Sequence, residues 1–163
     1  KRHKWEDENP GSYFRNNVWW WRPLADIILD KCSDLITHEQ ANDIHNNNGR
    51  KFSKGTSIAI ANRLQSLIDN GFIDEHQKEI DAQIKTAKAT NEKVSKKLDD
   101  LKLKVKKLRP NQNLAPVNYP YPYNKHWEEI NKQRDWRSSY PFSKENVIDF
   151  IKFSRASGGF EIC

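Results

Sequence analysis

Apolar side chains step through Ile80, Ile84, Ala87, Asn91, Val94, Leu98, Leu101, Val105 and Leu108 at alternating spacings of four and three, with one asparagine in the row. Four heptads of this kind hold a single stripe along one continuous helix, which Pro110 ends. Such a stripe has to be covered. Lys88, Lys97, Lys102 and Lys104 flank it, so a parallel homodimer would set like charges against each other, notably Lys97 against Lys102 of its mate. A second element of the same chain, or an acidic partner, is expected in place of a zipper.

The same stretch carries the chain's charge. From Lys85 to Arg109 there are ten basic residues against three acidic ones, a local +7, while the whole chain is only +6, so everything else sums to −1. Charged residues make up 31% of the chain and hydrophobic ones only 36%, but 18 aromatic residues supply bulky core material and argue against disorder. A length of 163 residues suits one domain. No apolar run reaches the length of a membrane span, which predicts a soluble protein of the cytoplasm with no membrane partner. Cys32 and Cys163 are too few for a disulfide framework and are expected to be reduced.

The rest reads as short helices. Pro23 suits a first helical turn, with Leu24, Ile27, Ile28, Lys31 and Leu35 following at helical spacing to about Leu35. Thr37 to Gln40 has the pattern of a capping box, with Ala41 and Ile44 behind it, and the Asn46 to Gly49 run ends that helix. Ile58, Ala61, Leu64, Leu67 and Ile68 form a third stripe, closed by Asn70-Gly71. Trp127 to Trp136 reads as a short helix, and Ser143 caps a last one carrying Val147, Phe150, Ile151 and Phe153. Phe160 to Cys163 alternates like a short terminal strand. The expected fold is mainly α: a single domain of packed short helices with one long basic heptad helix inserted. A tail covers 1–12, the body 13–73 and 127–163, the long amphipathic helix 74–110, and a Pro/Tyr-rich connector 111–126.

Two stretches, Tyr13 to Leu24 (YFRNNVWWWRPL) and Tyr140 to Val147 (YPFSKENV) with the closing Ser157 to Cys163 (SGGFEIC), resemble small accessory proteins of bacteriophages and their hosts. The resemblance covers the first third and the last quarter of the chain. Related middles often hold a cysteine-rich, zinc-knuckle-like insert, where this chain has its basic helix. The resemblance implies an accessory protein with a shared body and a variable middle, of a kind that often acts against host defences, and it brings no site residues.

Three indoles in a row cannot all face one side of a helix, so at least one of Trp19, Trp20 and Trp21 is expected to line a surface. Stacking on a base there, with Arg15 or Arg22 pairing a phosphate, is one use of it. The basic loop from Gly49 to Ser57 supplies Arg50, Lys51, Ser53, Lys54 and Thr56 ahead of a helix, where free N–H groups attract an anion. Because Lys54 precedes Gly55, this is not a Walker loop. Those ten residues form the expected ligand site, and Lys96, Lys97, Lys102 and Lys104 the expected polyanion contact. His38-Glu39 lacks the second histidine of a zinc protease, since position 42 is Asn42, and no catalytic set, metal site or cofactor is expected. The function expected is non-catalytic capture of a nucleotide or nucleic acid through aromatic and basic residues. The alternative is a capping inhibitor that occupies a host protein through the heptad stripe, and a nucleotide-processing enzyme is the third reading.

Overall fold

The structure, a computed structural model, describes Trp5 and residues 8–162. The expected reduced Cys163 and the first residues of the 1–12 tail lie outside the described residues. The mainly α expectation is met. The helices are α1 (Val18–Lys31), α2 (His38–Asp43), α3 (Lys54–Asp69), α4 (Phe72–Leu108), α5 (Tyr123–Asn131) and α6 (Lys144–Ala156), beside one antiparallel pair, β1 (Arg50–Ser53) and β2 (Gly159–Ile162). The chain divides into two compact units: residues up to Asp81 together with those from Tyr140 on, and the segment Ala82–Ser139. Residues 127–139, assigned to the body from sequence, thus fall within the second unit.

In the first unit, α1 begins five residues before the expected Pro23. The Asn17 side chain accepts from the backbone N–H groups of Trp19 and Trp20, a cap strong enough to start the helix ahead of a proline that lies inside it. The buried stripe therefore starts at the half-buried Trp21 and continues through Leu24, Ala25, Ile27 and Ile28. Both bonds of the Thr37–Gln40 capping box are present on α2. The stretch read as a loop from Gly49 to Ser57 is instead strand β1 running directly into α3. Phe52 pairs with Phe160 and Ser53 with Gly159 across the ribbon, the two Phe rings stacked at 4.6 Å. This strand escapes a local reading because its partner lies over a hundred residues away and only Phe52 in it is buried.

The α3 and α6 helices pack against each other, with Ser57 donating to the Ser154 carbonyl at 2.7 Å in their interface. Ile60, Ala61 and Leu64 of α3 meet the core that holds Val147, Phe150 and Ile151 of α6. Burying Phe150 alone is worth roughly 2–3 kcal/mol relative to leaving it in water. Cys32 lies in this core, and burial pushes its thiol pKa up to about 11, so it is an apolar filler rather than a nucleophile.

In the second unit the heptad reading holds. Ala87, Val94, Leu98, Leu101 and Val105 are buried, and the helix runs unbroken to Leu108, which is exposed. The cover is intramolecular. Asn91 donates to the Asp135 carbonyl at 2.9 Å and to the Ser138 hydroxyl at 3.0 Å, and accepts from the Asp135 N–H at 2.8 Å. Further along α4, Lys97 donates to Gln133 at 3.1 Å, so the returning chain runs antiparallel to the helix. Tyr119, on that return, is 7% exposed.

Candidate functional site

The ten residues expected to form one ligand site do not converge. Trp21 turns inward: its indole N–H donates to the Ile44 carbonyl at 2.7 Å and its ring meets Phe150 at 5.9 Å. Trp19 and Trp20 remain 45% and 37% exposed. Trp19 leans on the Tyr140 ring at 5.2 Å, and Arg22 donates to the Tyr140 hydroxyl at 3.2 Å, so this arginine braces an aromatic pair. Arg15 is exposed.

Of the basic segment, Arg50 is engaged. Arg50 donates through Nε to Asp43 at 2.7 Å and through Nη2 to the same oxygen. Those hydrogen bonds hold the Asp43 carboxyl below its ordinary range, against the desolvation that would raise it. The Ser53 hydroxyl caps the Thr56 N–H at 3.1 Å, which takes one of the donors an anion would have used. Lys51 and Lys54 stay exposed. Lys51, Ser53 and Thr56 border a shallow depression of about 710 Å3 beside Asp34, whose carboxylate is already paired with Arg63 at 2.8 Å. That depression shares no lining residue with the cleft that Trp21 borders. Among the described residues the expected aromatic faces and cations therefore do not line a common cleft: the Trp21 indole bonds the Ile44 carbonyl, and strand β1 ties Arg50 to α2.

The polyanion set fares differently. Lys96, Lys97, Lys102 and Lys104 are all exposed. Residues Ala82–Ser139 carry 14 basic against 6 acidic side chains, a net of +8, which leaves −2 for the other unit. Among the described residues no ion pair engages any of the ten basic groups from Lys85 to Arg109. At about 100° per residue, Lys93, Lys97 and Lys104 fall on one flank of the buried stripe, Lys88, Lys102 and Lys106 on the other, and Lys96 behind. Exposed rings sit in the same unit: Tyr121 is 80% and Trp136 64% exposed.

A cleft of about 780 Å3 in the first unit was not anticipated. One wall is the strap from Gly11 to Asn16, which runs antiparallel along α6: a Cβ on Gly11 would sit 2.3 Å from the Ala156 carbonyl, and Asn16 donates to Asn146 at 3.1 Å. Phe14, Phe153 and Phe160, all half-buried, surround the buried Phe150 at centroid distances of 5.2–6.2 Å. The opposite wall is the turn from His45 to Asn48. His45 Nε2 lies 3.1 Å from Asp26, while its Nδ1 is buried with no hydrogen-bond partner. Among the described residues no three metal-type side chains cluster, and no helix is long and apolar enough to cross a membrane. No family model, curated protein or solved structure matches the chain.

Proposed function

We propose that this is a non-catalytic nucleic-acid-binding protein that engages the phosphate backbone through the unit Ala82–Ser139. The observation that carries the reading is the segregation of charge, +8 in that unit and −2 elsewhere, with the unit's lysines in no ion pair among the described residues. Lysines within a turn or two of each other lie inside one Debye length, so their fields add where a polyanion approaches. Lysine, rather than arginine, predominates on α4, which suits diffuse attraction and not base readout. Trp136 and Tyr121 add flat faces on which an unpaired base stacks. The resemblance of the chain's two ends to phage accessory proteins supplies the setting we propose, a counter-defence role inside a bacterial cell. The capping-inhibitor alternative has less to rest on, since the stripe it needed is covered by the chain's own return segment.

The test is fluorescence anisotropy with labelled single-stranded and duplex 20-mers between 50 and 200 mM salt. Replacing Lys96, Lys97, Lys102 and Lys104 by Glu takes the unit from +8 to zero. Affinity is expected to fall at least about a hundredfold, with the log–log salt slope reduced by roughly three to four. Affinity that ignores both salt and the four substitutions refutes the reading.

A further inference from the structure

The geometry points to the cleft between the Gly11–Asn16 strap, the end of α6, β2 and the His45–Asn48 turn as a binding site for an uncharged planar heteroaromatic molecule of nucleobase or nucleoside size. The site is independent of the basic unit, since every residue that lines it belongs to the first unit.

Three observations define the ligand class. The first is shape. Phe14, Phe153 and Phe160 are held by one another and by Phe150, so their half-exposed surfaces are fixed flat or edge-on walls rather than mobile side chains. Trp21 is fixed as well by its bond to Ile44. A volume of about 780 Å3 falls within the range of small-molecule sites. The second is charge. Among the described residues no lysine or arginine lines the cleft, and the ionisable groups on it are those of Tyr13, His45 and Glu161. A phosphate would enter without a counterion and beside a carboxylate, which disfavours a nucleotide and any other anion. The third is unmet hydrogen bonding. Asn47, on the His45–Asn48 turn, offers an amide that can both donate and accept along a base edge, and among the described residues no hydrogen bond engages it. Apolar walls joined to a few such convergent polar groups are the ordinary make-up of a small-molecule pocket.

The experiment is calorimetric titration and thermal shift of the full chain with adenosine, guanosine, cytidine and uridine, with their 5′-monophosphates, and with indole as a purely aromatic probe. At least one nucleoside is expected to bind with one-to-one stoichiometry, its monophosphate no better than the nucleoside. Asn47→Ala, at an exposed turn, should weaken that nucleoside about three- to tenfold without changing the Tm of the free protein. Phe153→Leu keeps an apolar side chain but removes the flat face, and should weaken it by about tenfold or more. The quadruple lysine variant of the basic unit should bind the nucleoside unchanged, so the two sites stand or fall separately. The inference is overturned if no nucleoside binds at millimolar concentration, if only the phosphorylated forms bind, or if indole binds as tightly and Asn47→Ala has no effect.

Discussion

Asn91 occupies the one polar position of the heptad row, and replacing it with leucine separates two accounts of α4. In a self-associating coiled coil a lone asparagine in the seam lowers stability in return for register, so Asn→Leu stabilises. Here the side chain makes three bonds to the returning segment, two of them to the backbone of Asp135, a half-buried residue. Each such bond contributes about 1 kcal/mol net, and an abandoned backbone donor or acceptor costs about 1–3 kcal/mol where water cannot replace the partner. Burying the leucine side chain returns about 1–2 kcal/mol, because Asn91 is itself only half-buried. The balance is a loss of about 1–2 kcal/mol for Asn91→Leu. Asn91→Ala, which gains no apolar contact, should lose about 2–3 kcal/mol. Urea unfolding followed by tryptophan emission and far-UV circular dichroism measures both, at two protein concentrations a hundredfold apart. An Asn91→Leu protein as stable as the parent or more so, or a midpoint that rises with concentration, would refute the intramolecular clamp.

Two further predictions concern the first unit. Gly159 sits at φ +113° with Phe52 O only 2.8 Å from where a Cβ would stand, whereas Gly71, at φ +82°, has open space around it. Gly71→Ala should therefore cost about 1 kcal/mol through the left-handed backbone alone, and Gly159→Ala clearly more, about 2 kcal/mol or above, as read by thermal unfolding. Equal losses would show that the ribbon yields to the added methyl. His76 lies between the rings of Phe72 and Phe142, at 5.8 and 4.9 Å, and burial lowers its pKa from 6.5. The unfolded chain then takes up this proton first, so its contribution to stability is complete above pH 6.5 and is lost as pH falls through the lower folded value. Unfolding midpoints at pH 7.5, 6.5 and 5.5 should decline less steeply in His76→Phe than in the parent, and parallel declines would count against this assignment.

Local signals carried much of the fold. The Thr37 capping box, the Ser143 cap, the Asn70-Gly71 stop and the heptad row each act within a few residues, and each is realised where the pattern places it. Helix α1 starts at Val18 and not at Pro23 because Pro23 and Asn17 are competing local signals, and side-chain capping by Asn17 outweighs a proline tolerated inside the helix. Strand β1 was missed for a different reason: nothing near Arg50 announces a partner at Ile162.

The candidate sites divide along the same line. Exposed lysines on a long helix keep their exposure whatever the rest of the chain does, so charge counted along the sequence survives as charge on the surface. A pocket that depends on convergence has no such protection. Arg50 looked available for a ligand only while Asp43, seven residues earlier, was not known to face it, and Trp21 looked available only while the Ile44 carbonyl was elsewhere. The aromatic cleft is the converse case. Its walls come from residues 11–18, Trp21, 45–48 and 150–162, among whose lining side chains only Trp21 belongs to an expected ligand set, and only the packing of the strap along α6 brings Phe14 to Phe153 at 5.7 Å. Rings that folding has fixed around an open cleft point to its occupant more directly than any motif in the chain.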